Sequence, residues 1–250
     1  MKGKLFCIVS ILLLSSCALY TPQVAPPILI EEKGETELDF GASISSFLIT
    51  PGADVSVAYG FTDKIHAQAY ASYISSGTIH LQLLTGYRFN INERANIRLL
   101  GGYFYGNGNV KYQEGFNEPM NYKGFYQSIL GKFQYTNTFK NHNKIWGLSF
   151  TIGNFTPYYK VYYVESSNDM DKLIDQKGIL FEPYLFYHYK ISDKLGITFS
   201  YSNTWIKPIN QLNNDYPNHY ELDYNKYGNF GITLKYTLKT GNKKRLNKTQ

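Results

Sequence analysis

From about residue 36, apolar and polar positions alternate with a period of two, the signature of half-buried β-strands. Leu38, Phe40, Ala42 and Ile44 alternate with Asp39, Gly41 and Ser43. Val55, Val57, Tyr59 and Phe61 alternate with Ser56, Ala58 and Gly60; Ile65, Ala67, Ala69, Ala71 and Tyr73 alternate with His66, Gln68, Tyr70 and Ser72. The pattern returns at Ile79–Phe89, with His80, Gln82 and Arg88 on the other parity, and at Ala95–Tyr103, with Asn96, Arg98 and Gly102. Residues 124–138 form a sixth strand of mixed pattern. Trp146, Leu148, Phe150 and Ile152 mark a seventh, and Ile179, Phe181, Leu185, Tyr187 and Tyr189 an eighth. Leu195–Trp205 and Phe230–Leu238 alternate with small polar residues and complete a set of ten. Most are about 9–11 residues long, the length of a tilted strand that crosses a bilayer.

The connections carry a second pattern. Every second one is a short polar turn: Thr62-Asp63-Lys64, Asn92-Glu93-Arg94, Asn141-His142-Asn143 and Ser192-Asp193-Lys194. Those at the other end are brief at first (Thr50-Pro51-Gly52, Ser75-Ser76-Gly77) and then long, over 106–122, 156–177 and 207–224. Residues 167–176 suggest a helical turn capped by Ser167 or Asn168. An even strand count, short turns at one end and long loops at the other predict an all-β fold: a ten-stranded antiparallel up-and-down transmembrane β-barrel. A soluble, lipocalin-like cup is the competing fold, with apolar residues inside and polar residues outside. The small polar parity is too hydrated for a dry core, and Tyr, Phe and Trp gather at strand ends as in an aromatic girdle. Phe61, Leu81, Phe89, Phe150, Phe199 and Ile232 are therefore expected to face lipid, and Ser56, Gln68, Gln82, Thr198 and Thr233 the lumen.

The first residues determine where such a barrel resides. Lys2 and Lys4 precede an apolar run, Leu5 to Leu14, of about ten residues, too short to span as a helix. Leu14-Ser15-Ser16-Cys17 then resembles the lipobox of bacterial lipoproteins, whose cysteine is acylated and becomes the new N-terminus. Residues 1–16 read as a signal peptide, 17–34 as a lipidated extended tether with prolines at 22, 26 and 27, 35–239 as the barrel, and 240–250 as a basic periplasmic tail. Removal of the signal takes the formal charge from +6 to +4, and with it goes Cys7, so no intrachain disulfide remains possible. The expected location is the outer membrane, lipid-anchored, with the N-terminus periplasmic. No aspartate follows Cys17, and no charge follows it until Glu31.

The mature start, Cys17-Ala-Leu-Tyr-Thr-Pro, with Pro26-Pro27 and the run Glu31-Glu32-Lys33-Gly34-Glu35, resembles lipobox-bearing outer-membrane barrel proteins of the Bacteroidetes type. The resemblance covers about residues 17–41 and implies a short tether leading into the first strand. It implies no defined activity. Many outer-membrane barrels end on an aromatic residue, whereas this chain ends on a basic tail, Lys239 to Gln250.

Motifs for catalysis are sparse. The chain contains no GxGxxG, Walker A, HExxH or GxSxG segment, so no cofactor is expected. His66 and His80 lie on one hairpin, roughly 23 Å apart by strand spacing, too far to share a metal, and no metal site is expected. Omptin-like proteases use Asp and His at the outer rim of a ten-stranded barrel. Asp169, Asp171, Asp215 and His219 fall in the long loops here, with no spacing that singles them out. Ser149, Ser200 and Ser202 lie on strands without a nearby activating histidine. The expectation is a non-catalytic structural or surface-interaction role. An outer-rim enzyme, omptin-like or lipid-modifying, and a soluble binding lipoprotein are the alternatives.

Aromatics crowd the long loops: Tyr105, Tyr112, Phe116 and Tyr122; Phe155, Tyr158, Tyr159, Tyr162 and Tyr163; Tyr216, Tyr220 and Tyr224. They suit a glycan or protein ligand, or a girdle contacting outer-membrane lipid. In an exported chain the basic tail points to no nucleic acid.

A charge network is expected in the lumen at the short-turn end. Arg88 and Arg98 flank the turn at 92–94 symmetrically and face one another, with His66, Lys190 and Lys235 on the same parity. The carboxylates within reach are Glu35, Glu37 and Asp39, with Glu31 and Glu32 just before them. Facing guanidiniums repel. The expectation is that the acidic segment folds into this basic mouth and closes it.

Overall fold

The inward parity is polar and the outward parity apolar, the reverse of a soluble barrel. Ser56, Gln68, Gln82, Thr198 and Thr233 are buried, while Phe61, Leu81, Phe89, Phe150, Phe199 and Ile232 are exposed. The wall presents a band of Leu, Ile, Val and Phe, with Leu83 62 % and Ile129 68 % exposed, which only a hydrocarbon environment suits. This excludes the lipocalin-like cup. The structure, a computed structural model, describes residues 25–45, 50–75, 77–112, 120–140, 143–163, 172–174, 177–209 and 225–239.

Eleven strands appear among these residues: β1 (Glu35–Ser45), β2 (Thr50–Gly60), β3 (Ile65–Ile74), β4 (Thr78–Asn90), β5 (Ala95–Tyr112), β6 (Met120–Thr138), β7 (Lys144–Tyr163), β8 (Lys172–Ile174), β9 (Gly178–Lys190), β10 (Leu195–Pro208) and β11 (Asn225–Lys239). All except β8 form the wall. Each pairs antiparallel with its sequence neighbour, β7 pairs with β9, and β11 pairs back onto β1. The result is a closed ten-stranded antiparallel barrel without a free edge.

Three of the short turns share one device. The Thr62, Asn92 or Ser192 side chain accepts hydrogen bonds from the backbone N–H groups two and three residues on. These polar side chains substitute for turn hydrogen bonds and fix the hairpin register.

The opposite end departs from expectation. β5, β6 and β7 run to 18, 19 and 20 residues, so 106–112, 120–122 and 156–163 are wall, not loop. Their backbones pair up to Tyr112 with Met120 and Met120 with Tyr163. Above the hydrocarbon both faces meet water. Alternation then disappears from the sequence while the ladder continues. Lys172–Ile174, expected within a helical turn, is a short strand on β7. Phe116, Asp169, Asp171, Asp215, Tyr216, His219, Tyr220, Tyr224, His142, the signal and Cys17, and the tail from 240 lie outside the described residues.

Candidate functional site: the plugged lumen

The segment expected as an extended tether enters the barrel over its last part. Ala25, Pro26, Pro27, Ile28 and Ile30 are buried inside the short-turn end, with Leu29 half-buried among them. The chain then reverses over 31–34 into β1. Gly34 makes this reversal at φ 76°, a left-handed conformation costly to residues with a Cβ. Gly60, at the end of β2, makes room for it. A Cβ there would stand 2.7 Å from the Glu32 carbonyl and 2.9 Å from Ile30 Cγ2.

The lumen holds this plug by its backbone. Lys132 Nζ donates to the Ala25 carbonyl, Gln68 Nε2 to Pro26, Lys235 Nζ to Pro27 and Gln134 Nε2 to Ile28, each at 2.9 Å. Arg88 Nη1 (3.1 Å) and Arg98 Nη2 (2.6 Å) both donate to the Ile30 carbonyl. In the other direction, Ile28 N–H donates to Gln134 Oε1 at 3.3 Å and Leu29 N–H to Glu37 Oε2 at 2.9 Å. Two prolines lower the number of plug N–H groups that need acceptors. The carbonyls remain, and inward lysine, glutamine and arginine satisfy them; an unpaired buried carbonyl is costly.

The structure places the anticipated charges as follows. Arg88 and Arg98 are opposite one another in register, but they converge on a neutral carbonyl and not on the acidic run. Glu31 and Glu32 are exposed. Glu37 and Asp39 instead flank Lys235, at 2.9 and 3.0 Å, with all three side chains buried. Ser56 Oγ also donates to Asp39 at 2.7 Å. Glu35 accepts the backbone N–H groups of Glu31 and Glu32 and lies 3.6 Å from Lys239. His66 is buried beside the plug, and neither ring nitrogen has a hydrogen-bond partner among the described residues. Lys190 sits half-buried at the lip of a small polar cleft with Glu31, Glu35 and Lys194. The mouth is thus closed by the proline-containing segment, and the acidic residues anchor it from the side. Lys132 and Gln134 went unnoticed in the sequence. Their signal was the inward polar run Lys132, Gln134, Thr136 in a strand of mixed pattern.

Above the plug lies an aromatic tier. His80 stacks on Phe104 at 5.0 Å between centroids, Tyr126 Oη lies 3.2 Å from His80 Nδ1, and Phe155 packs on Tyr126 at 5.6 Å. Phe155 is a lumen residue, contrary to its expected place in a loop. Tyr105 and Tyr158 stand on strands, with Phe125 stacked between them at 5.9 and 4.7 Å. A second outward ladder links Phe150, Phe181 and Trp205 at 6.0 and 5.3 Å. These rings line the wall as a girdle does.

Of the candidate nucleophiles, Ser149 and Ser202 are buried, and Ser200 donates to the Gly231 carbonyl at 3.3 Å. His188 is hydrogen-bonded to Thr198 at 2.9 Å. Among the described residues no three His, Cys, Asp or Glu groups could hold a metal.

No family model and no curated protein matches the chain. Among solved structures it is similar to the outer membrane protease OmpT from Escherichia coli, at 9 % identity and TM-score 0.51, over 82 % of this chain and 94 % of that one. It also matches a KdgM porin at 10 % identity and TM-score 0.38, over 80 % of this chain and 98 % of that one. The translocator domain of the autotransporter NalP from Neisseria meningitidis matches at 10 % identity and TM-score 0.46, covering 95 % of this chain and 94 % of that domain. At such identities the likeness is one of fold. Together with the apolar-out wall and the closed ladder, the similarity to the OmpT structure identifies the fold as that of an outer-membrane β-barrel.

Proposed function

We propose that the protein is a lipid-anchored outer-membrane barrel, closed to bulk flow and non-catalytic, which acts through its tall rim in a structural or surface-interaction role. The closed lumen carries this reading. A single extended segment exchanges hydrogen bonds with side chains of β1, β3, β4, β5, β6 and β11, and an aromatic tier lines the lumen above it. Barrels of this strand number have lumens that side chains can largely fill. The lipobox-like Cys17 supports the anchor. The extension of β5, β6 and β7 supports a rim standing clear of the bilayer, where a glycan or protein ligand would bind. The outward groove of about 490 Å³ over Ala67, Ala69, Gly101 and Gly102, between Leu83 and Tyr103, suits contact with membrane lipid.

Reconstitution of the acylated chain in planar bilayers tests this reading. The expected result is no steady single-channel conductance, together with heat-modifiable migration on a gel and a diacylated Cys17 by mass spectrometry. Stable conductance from the full chain would refute the closed barrel, and an unmodified Cys17 would refute the anchor.

A further inference from the structure

Two like charges meet in the mouth of the lumen. Arg88 Nη1 and Arg98 Nη2 donate to the same Ile30 carbonyl, at 3.1 and 2.6 Å. Bonds that end on one oxygen bring the two guanidiniums within about 4–6 Å, the range in which charges act strongly on one another. Both side chains are buried, Arg88 at 8 % exposed and Arg98 at 1 %. Buried charges are ordinarily paired, because taking them out of water is costly. Among the described residues no carboxylate lies within ion-pair distance of either arginine. Glu37 and Asp39 serve Lys235, Glu35 lies against Lys239, and Glu31 and Glu32 are exposed.

The same cluster holds donors with nothing to donate to. Each arginine keeps a buried Nε–H without an acceptor among the described residues, and so does the fully buried His66 ring, at both nitrogens. His66 pairs in register with Gly60 on one side and Gly86 on the other. Arg88 therefore lies diagonally across from it, within reach of a long side chain. A Cβ on Gly60 would stand 2.9 Å from Ile30 Cγ2 and 3.5 Å from His66 Cδ2, so the ring lies alongside the residue whose carbonyl the arginines share. Positive charge and spare N–H groups thus converge beside Ile30.

We propose that Arg88, Arg98 and His66 bind a small monovalent inorganic anion of the chloride class, drawn from the water at the short-turn end, and that this anion clamps the plug. Charge selects an anion over water: a neutral molecule would satisfy the N–H groups and leave two positive charges unopposed. Burial selects a small, singly charged one. Arg88 is the most exposed of the three side chains, so entry runs past it, and a single charge is cheaper to desolvate than a phosphate or sulfate dianion. The bound ion offsets the repulsion between the guanidiniums and keeps both on the Ile30 carbonyl. The proposal rests on the seated plug of the closed-lumen reading, and not on the anchor or on what the rim binds.

Equilibrium unfolding of the full chain in nonionic micelles tests it, with sodium gluconate replaced stepwise by sodium chloride at fixed ionic strength so that screening stays constant. For one bound anion, each tenfold in chloride above its Kd should raise the folding equilibrium constant about tenfold, and bromide should act likewise. His66→Phe keeps the bulk of the ring and removes both nitrogens. Arg98→Lys keeps the charge and a donor for the Ile30 carbonyl and removes the Nε–H. Each should weaken chloride binding about tenfold, as expected for loss of a hydrogen bond to a charged group. Anomalous scattering from crystals of the unsubstituted chain grown in bromide should place the ion against Arg88 and Arg98, which locates it without any variant. An unfolding midpoint that does not respond to chloride, a response unchanged in both variants, or bromide absent from the cluster would overturn the proposal. Steady conductance would fail the closed-lumen reading, whereas a closed barrel without a chloride response fails this proposal alone.

Discussion

Lys235 is the residue whose loss should be felt most. Its ammonium is buried, lies 2.9 Å from Glu37 and 3.0 Å from Asp39, and donates to the Pro27 carbonyl at 2.9 Å. Lys235→Met keeps most of the side-chain volume and removes the charge. Two carboxylates are then left buried close together without a cation, and a plug carbonyl loses its donor. Removing one partner of a buried pair costs about 3–5 kcal/mol, mainly through the stranded charge. The orphaned carbonyl adds about 1–3 kcal/mol where water does not reach it. A loss of about 4–6 kcal/mol is expected, since relaxation and water penetration around the stranded charges relieve some of the total. Equilibrium urea unfolding in detergent micelles reads this as a lower midpoint. The triple variant Lys235→Met, Glu37→Gln, Asp39→Asn removes the stranded charges and should regain more than half of the loss. Lys239→Met breaks the 3.6 Å contact with Glu35 at a site 36 % exposed and should cost less than about 1 kcal/mol. If Lys235→Met unfolds within about 1 kcal/mol of the unsubstituted chain, or the triple variant is weaker than the single one, the buried triad does not hold the plug.

Gly34→Ala forces a Cβ into the left-handed turn below the plug and should lower stability by about 1–2 kcal/mol in the same assay, with Gly34→Asn costing less. Gly60→Val places side-chain atoms against the Glu32 carbonyl and Ile30. In an Ile28→Cys background it should speed reaction of that thiol several-fold with reagent supplied from the short-turn side, and an unchanged rate would show that the plug is not seated on Gly60. Leu83→Arg, on the lipid face at mid-strand, should destabilise the folded barrel by about 2–4 kcal/mol, against about 0–1 for Ile91→Arg at the turn. Equal costs at the two positions would argue against a hydrocarbon band around the strands.

The wall was legible in the sequence because a two-sided wall leaves a mark at every second residue. Leu81, Gln82 and Leu83 alternate between lipid and lumen, and a slip of one residue would exchange the two environments. The facing of Arg88 and Arg98 followed from the turn between them. Their common partner did not follow, because a backbone carbonyl has no sequence signature. The plug escaped for the same reason: Pro26-Pro27 suggested a stiff spacer, and the lumen grips that segment through atoms every residue shares. The tall strands were obscured once alternation ceased to be enforced above the bilayer, so only the ladder distinguishes 156–163 from loop.

Asp39 and Lys235 are direct partners across the β1–β11 pairing, which joins the two ends of the wall. The contacts of Lys235 with Asp39, Glu37 and Pro27 span 196, 198 and 208 residues of sequence. The socket for the earliest barrel-bound residues therefore does not exist until the last strand arrives. A half-built wall offers Glu37 and Asp39 with no cation between them, and that repulsion disfavours settling before closure. Docking of the last strand converts the unfavourable pair into an anchored triad and captures the plug in the same event. The seam thus acts as a latch: it makes completion of the ring and closure of the pore one cooperative step, and an unfinished barrel remains both open and marginally stable.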